Sequence, residues 1–175
     1  MGSIEQPGHA LVFGASGING WAFVNAILND YPTPDSFDRV TAFTNRPLSA
    51  EASQWPQSYK LHLVSGLDLI KNDQEALERE LVQKVPQVDR VTALYFCAYV
   101  MDIDPEKEIT LNIGMLKKTI LAIEKLSPSL RVVALPTGVK VINSPGHGDK
   151  ADTNKSYRRM EYTCWTNSPS RIIYP

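Results

Sequence analysis

GASGING occupies residues 14–20 and directly follows an apolar run at residues 9–13. A run with helical spacing then begins, with Trp21, Val24 and Leu28 on one face. Three glycines therefore recur at a predicted strand-to-helix junction. At such a junction the first glycine permits a sharp turn, the second leaves room for a pyrophosphate, and the third lets the helix pack closely. The stretch predicts a dinucleotide-binding turn, and the alternative is a plain tight turn without a ligand.

The amino end of the predicted helix is the expected phosphate site. Free backbone N–H groups and a partial positive charge at a helix N-terminus attract anions. The residues expected to contact a cofactor here are Gly14, Ser16, Gly17, Ile18, Asn19 and Gly20.

The remaining chain alternates between short runs rich in β-formers and longer runs with helical periodicity. Strands are expected at residues 10–13, 39–44, 60–64, 90–100 and 131–135, and helices at residues 18–29, 73–85 and 105–126. Such alternation is typical of a parallel sheet with right-handed crossovers. The predicted fold is therefore α/β: a Rossmann-type, doubly wound parallel sheet of about five strands with helices on both faces.

The pattern of hydrophobic and polar residues divides the chain into two parts. Residues 8–142 carry the alternating pattern and are predicted to form an NAD(P)-binding Rossmann domain. Residues 143–175 are polar, with glycine and proline early and no clear period. We expect this second part to be an irregular or weakly structured tail.

Composition excludes several classes of function. The chain has 175 residues, 43% of them hydrophobic, with a net charge of −1, so nothing in its charge favours nucleic acid. No apolar run reaches the roughly 18 residues that a membrane span needs. The two cysteines and three histidines are scattered, which argues against a metal site. A cytoplasmic protein acting on a small molecule is the simplest expectation, and the composition leaves the oligomeric state open.

The end of the second predicted strand indicates which dinucleotide is preferred. NAD-binding chains usually have an acid there, whereas this chain has Asn45 and Arg46. A guanidinium can pair with the 2′-phosphate of NADP, and charge-assisted hydrogen bonds of that type contribute about 1.5–3 kcal/mol each. The prediction is NADP(H), with Asn45 and Arg46 at the ribose; the alternative is that Arg46 is an ordinary surface arginine.

Two further segments follow strand ends. Asp68 comes after the third strand and is expected either to accept a hydrogen bond from adenine or to be a capping acid of the loop. Ala98, Tyr99 and Val100 come at the end of the fourth strand and are expected either to line the nicotinamide site or to belong to an ordinary core strand. Asn112, on the long helix, is a bracing residue or simply an exposed polar one.

The chain resembles the extended short-chain dehydrogenase/reductases, and within them the branch related to progesterone 5β-reductase and iridoid synthase (PRISE-like). The resemblance covers roughly residues 8–142. It rests on ALVFGASGING at 10–20, NRP at 45–47, Asp68, YFCAYV at 95–100, LNIGM at 111–115 and LPTGVK at 135–140.

This resemblance implies reduction of a carbon–carbon double bond conjugated to a carbonyl, with NADPH, in specialised-metabolite chemistry. The family lysine maps onto Lys140, and the family tyrosine lies about thirty residues further on. Tyr174 is at about that distance, although its surroundings do not match the family pattern. The more widespread Tyr-x-x-x-Lys arrangement is absent, because Pro136 stands where its tyrosine would be.

The sequence favours two functions over a third. One is an NADPH-dependent reductase of an enone-like or carbonyl small molecule, with Lys140 and Tyr174 as catalytic candidates. The other is a truncated NADP-binding module or accessory protein without catalysis, since chains of this family continue past this length. A nucleotide-sugar epimerase is a third reading, against which Arg46 and Pro136 argue.

Overall fold

The computed structural model describes residues 7–136 and the backbone of residues 162–165. In this part of the chain, six strands form one sheet: β1 (Gly8–Phe13), β2 (Phe37–Thr44), β3 (Leu61–Ser65), β4 (Val91–Phe96), β5 (Val132–Pro136) and β6 (Tyr162–Trp165). The helices are α1 (Ile18–Leu28), α2 (Ala50–Ser53), α3 (Gln74–Lys84) and α4 (Pro105–Leu126), with a short 3₁₀ turn at Val88–Arg90. The strand order is β3-β2-β1-β4-β5-β6.

The first five strands are parallel and β6 runs antiparallel to β5. Parallel strands need crossover connections, which α1, α3 and α4 supply between successive strands. The predicted Rossmann-type parallel sheet of five strands with helices on both faces is confirmed.

Two hydrophobic cores lie on opposite faces of the sheet. β1 is buried along its whole length because it lies between them. The α3/α4 core contains Leu11, Phe13, Leu77, Leu81, Leu94 and Ile123, among others. The α1 core contains Ala10, Val12, Val24, Ile27, Val40 and Trp55, among others.

Local sequence explains where the longer helices begin. Asp73 caps α3 by accepting a hydrogen bond from the Ala76 amide. Asp104 caps α4, where Pro105 occupies the first turn together with two acids, an arrangement that suits the positive end of a helix. α1 differs, because its N-cap is Gly17 and no side chain caps it.

Three elements differ from the sequence-based expectation. β4 ends at Phe96 rather than near Val100, because its neighbour β1 turns away at Gly14, directly after the last pair, Phe13 and Phe96. α2 forms where no element was expected. β6 lies within the stretch that was expected to be irregular, and it pairs with β5 through its backbone.

None of the helices in the described part of the chain has the length and apolar character that crossing a membrane requires. Within the same residues, no group of three or more histidine, cysteine or acidic side chains is placed to hold a metal ion.

Candidate functional site

A cleft of about 460 Å³ opens at the carboxyl ends of β1, β2 and β4. The strand order reverses between β1 and β4, and such a switch point is where open α/β sheets bind their ligands. The cleft is lined by Phe13, Gly14, Ser16, Gly17, Phe43, Thr44, Asn45, Leu67, Asp68, Leu69, Ile70, Cys97, Ala98, Tyr99, Val100 and Met115.

Gly14 makes the turn from β1 into the loop that precedes α1. Its φ of 75° lies in the left-handed region that side chains disfavour. A Cβ at Gly14 would also lie 2.6 Å from the carbonyl of Cys97 and from the Ala98 nitrogen. The turn therefore packs directly against the loop that follows β4, and both form one wall of the cleft.

Gly17 and Gly20 meet different surroundings. Gly17 has extended backbone, and a Cβ there would meet only the Gly14 carbonyl oxygen, at 3.4 Å. Because Gly17 is exposed and lines the cleft, the space above it is open to a ligand. Gly20 is buried, and a Cβ there would overlap the Gly14 carbonyl oxygen and lie 2.8 Å from the Ala15 Cα. Gly20 therefore allows α1 to pack against the turn.

The first turn of α1 carries no acid, and no side chain accepts from its amides. The first N–H groups of a helix have no acceptor within the helix, so those of α1 remain available to an anion. Ile18 and Asn19 are exposed and do not line the cleft, and Gly20 is buried. At these three positions the backbone amides, and not the side chains, are therefore the groups that could bind a phosphate.

The end of β2 is held by the buried Thr44. Its hydroxyl donates to the Arg46 carbonyl over 2.8 Å and lies 2.8 Å from the Ser65 hydroxyl. Asn45 lines the cleft, whereas Arg46 is exposed next to it and does not. The Arg46 backbone is thus fixed while its guanidinium projects from an exposed position beside the cleft.

Asp68 caps a turn at the cleft margin. Its Oδ1 accepts from the amides of Ile70 and Lys71, both over 2.9 Å. The bond from the Lys71 amide, together with that from Ile70, lowers the pKa of the Asp68 carboxyl below its usual value. Oδ2 lies 3.9 Å from the Lys71 Nζ, so this second oxygen keeps capacity to accept from a ligand.

The loop after β4 is clamped by Asn112 of α4. The Asn112 amide donates to the Val100 carbonyl over 2.8 Å and accepts from the Val100 amide over 3.0 Å. Its amide also bonds to the Glu108 carbonyl at 2.8 Å. The Tyr99 hydroxyl donates to the Glu108 carboxylate. These bonds set the position of Ala98, Tyr99 and Val100 on the cleft wall, with Asn112 as the bracing residue.

An aromatic stack forms the inner end of the cleft. The rings of Phe13 and Phe43 stack with centroids 4.4 Å apart, and Phe96 follows on the other side of Phe13 at 6.0 Å. Cys97 lies beside them, and burial raises the pKa of its thiol to about 11. At neutral pH this thiol is therefore uncharged and a poor nucleophile.

Sequence reasoning missed several lining residues, namely Phe13, Phe43, Thr44, Leu67, Leu69, Ile70, Cys97 and Met115. Phe13, Phe43 and Thr44 could have been found, because they are the last residues of predicted strands. Met115 could not, since nothing in the helical pattern distinguishes a core position from one that also reaches the cleft. The two catalytic candidates, Lys140 and Tyr174, lie outside the described residues.

Comparison with known families shows to which family the chain belongs. The model of the PRISE-like Rossmann-fold domain matches residues 10–150. The chain belongs to this family. Short-chain dehydrogenases are among the relatives of this PRISE-like chain, and membership implies a nicotinamide nucleotide as the class of cofactor.

Two fungal relatives illustrate the match. The short chain dehydrogenase sirQ of Leptosphaeria maculans is 35% identical over 132 residues, which are 74% of this chain and 33% of that protein. The short chain dehydrogenase ausT of Aspergillus calidoustus is 33% identical over 133 residues, 74% of this chain and 32% of that protein. This PRISE-like chain thus spans about a third of the length of the relatives it matches.

A solved structure shows the same fold. Sniffer of Caenorhabditis elegans superimposes with a TM-score of 0.50 at 17% identity. The match covers 70% of the PRISE-like chain and 53% of Sniffer. At this identity the similarity concerns the fold alone.

Proposed function

We propose that this chain is the cofactor-binding part of an NADPH-dependent reductase that acts on an enone-like or carbonyl small molecule. The observation that carries the proposal is the cleft at the switch point, where the uncapped start of α1 and the open side of Gly17 leave room for a diphosphate. The kinship with fungal short-chain dehydrogenases supports a reductase, and a role in specialised metabolism is the biological setting that we propose for it.

Different residues of the cleft bind different parts of NADPH. The amides at the start of α1 bind the diphosphate. Arg46 pairs with the 2′-phosphate from its exposed position after β2. The Oδ2 of Asp68, which lies 3.9 Å from the Lys71 Nζ, accepts from the adenine amino group, since Oδ1 is already used by two backbone amides. The wall made by Ala98, Tyr99 and Val100 faces the nicotinamide.

When bound, NADPH would supply the hydride for the carbon that is reduced. Charge then develops on the substrate carbonyl oxygen, and a hydroxyl donor placed there contributes about 2.7–4 kcal/mol. Lys140 and Tyr174 are our candidates for the lysine at the ribose and for the hydroxyl donor, by resemblance to the family. The thiol of Cys97 is kept neutral by burial, so we assign it no role as a nucleophile.

The test of cofactor choice is a titration of the 175-residue chain with NADPH and NADH. We expect NADPH to bind at least about tenfold more tightly, and Arg46→Ala to remove this preference while leaving the affinity for NADH unchanged. The control is Arg79→Ala, which removes an equal charge from an exposed position on α3. Comparable affinities for both nucleotides in the parent chain would contradict the role of Arg46.

A second measurement addresses catalysis. Oxidation of NADPH is followed by the loss of absorbance of the reduced nicotinamide in the presence of simple enones. Turnover that is lost in Lys140→Ala supports the reductase. Tight binding of NADPH without turnover favours the other candidate, an NADP-binding module without catalysis in this chain.

A further inference from the structure

Two tryptophans link α1 to the segment that follows β2. The indole N–H of Trp21, in the first turn of α1, donates to the Ser53 carbonyl over 2.7 Å. The indole N–H of Trp55 donates in return to the Trp21 carbonyl over 3.2 Å. Trp55 is 5% exposed and belongs to the α1 core, so the link is anchored in the interior.

The segment that accepts the Trp21 bond, which lies between β2 and β3, has little stability of its own. α2 spans only Ala50–Ser53, and a helix of one turn does not persist in water without tertiary contacts. Ser49 caps it by accepting from the Ala52 amide over 3.1 Å. The Trp21 bond therefore ties the far end of α2 to α1, in addition to the burial of Ser53 and the packing of Leu48 against the α1 core.

Residues 45–55, the Arg46 segment, carry Arg46 between two fixed ends. At the near end, the Thr44 hydroxyl bonds to the Arg46 carbonyl over 2.8 Å. At the far end, α2 is held by Trp21 and is followed by the buried Trp55. The position of Arg46 relative to α1 thus depends on both ends.

We propose that Trp21 and Trp55 are positioning residues for cofactor discrimination: their reciprocal hydrogen bonds hold the Arg46 segment at a fixed separation from the start of α1. The inference rests on the proposed preference for NADPH. The first amides of α1 then bind the diphosphate. Trp21, in the same first turn, fixes the position from which Arg46 contacts the 2′-phosphate. A segment released from this link would have to be ordered each time NADPH binds, and that entropic cost would fall on NADPH alone.

The test uses Trp21→Phe and Trp55→Phe in the full 175-residue chain, because phenylalanine keeps an aromatic ring and removes the N–H donor. Calorimetric titration gives the dissociation constants for NADPH and NADH, and thermal unfolding checks that each variant folds. We expect Trp21→Phe to weaken NADPH about three- to tenfold and NADH less than about twofold. Trp55→Phe should act in the same direction with a smaller factor, since its bond is longer.

Tyr59→Phe is the matched control, because Tyr59 is 91% exposed on the surface. It should change neither constant. If both tryptophan variants weaken the two nucleotides by the same factor, or leave the ratio of the two affinities unchanged, the positioning role is overturned. Should Trp21→Phe fail to fold, the ratio measured for Trp55→Phe decides.

Arg46→Ala separates this inference from the function on which it rests. A parent chain that binds both nucleotides equally, with Arg46→Ala silent, overturns the preference for NADPH and the positioning role with it. A parent that prefers NADPH through Arg46, but whose ratio is insensitive to Trp21→Phe, overturns the positioning role alone. In the double variant the Trp21 effect should vanish, because it acts through Arg46; additive effects would contradict the inference.

Discussion

Single residues in the turn before α1 meet different physical demands. Gly14 needs a positive φ and has carbonyl and amide groups of the next loop where a side chain would be. Gly20 is buried against the turn itself. Gly17 has ordinary extended backbone and open space beside it, so no contact within the protein demands glycine there. Its lack of a side chain matters only if something else occupies that space.

Gly17 therefore allows binding to be tested apart from folding. We expect Gly17→Val to leave the chain folded, at a cost of at most about 1 kcal/mol from the poorer N-cap. The new methyl groups would occupy the space proposed for the diphosphate. The dissociation constant for NADPH should rise at least about tenfold, as measured by calorimetric titration.

Gly114→Ala is the matched control for replacing a glycine. A Cβ at Gly114 meets open space on α4, and alanine in a helix interior stabilises by about 0.5–1 kcal/mol relative to glycine. This variant should melt higher and bind NADPH unchanged. Unaltered affinity in a folded Gly17→Val protein would remove the basis of the proposed phosphate site.

At the scale of elements, loops after strands form the cleft, and helices hold those loops. The Cys97 amide still donates to the Phe13 carbonyl of β1, and further along the loop after β4 Asn112 pairs with both backbone groups of Val100. One side chain thereby supplies backbone hydrogen bonds of the kind that a neighbouring strand gives. The tie from Trp21 to α2 is a second example, in which a helix side chain fixes a segment with no strand neighbour.

The clamp at Val100 gives a prediction for the loop. Asn112→Ala leaves the half-buried amide and carbonyl of Val100 without partners, which should cost about 1–3 kcal/mol of the free energy of unfolding. Hydrogen exchange at the Val100 amide should accelerate well beyond that of amides in β4. Thr110→Ala on the same helix removes an exposed hydroxyl bond to the Glu106 carbonyl and should cost under about 0.5 kcal/mol. Equal exchange at Val100 in the two variants would show that Asn112 does not hold the loop.

At the scale of the whole molecule, β1 is the centre of stability, because both cores pack on it. His9 lies within this strand at 2% exposure, and its Nε2 is 2.9 Å from the Thr41 hydroxyl oxygen. Burial, aided by the charge of Arg39, lowers the pKa of His9 from 6.5 to about 4. Between about pH 6.5 and pH 4, the histidine is therefore neutral in the folded protein, whereas the unfolded chain binds its proton.

This depressed pKa predicts how stability depends on pH. Between about pH 6.5 and pH 4 the unfolded state binds the His9 proton and the folded state does not, so stability is full above this window and falls as the pH falls. The His9 contribution should decrease by about 2 kcal/mol from near pH 7 to near pH 5. Urea unfolding of the parent chain and of His9→Asn at both pH values isolates the contribution of His9 to the free energy of unfolding. A variant that loses as much stability as the parent would contradict it.

The periodicity of the chain was enough to predict the five parallel strands, the three longer helices and the glycine turn. These features follow from local residue spacing, which is two in strands and three to four in helices. The same reasoning extended β4 through Val100, because apolar β-formers continue there. Strand pairing ends where the neighbour turns away, and that neighbour is distant in sequence.

The sequence by itself determined that a strand, a glycine turn and a helix follow one another, and therefore where a diphosphate would meet main-chain amides. Only the tertiary structure decided that Phe13 and Phe43 stack at the inner end of the cleft, that Asn112 clamps Val100, and that Trp21 reaches Ser53. The physical reason is the range of the interactions. Turn geometry and helix capping act between neighbours along the chain, whereas these contacts join residues that meet only after the sheet has brought its crossovers together.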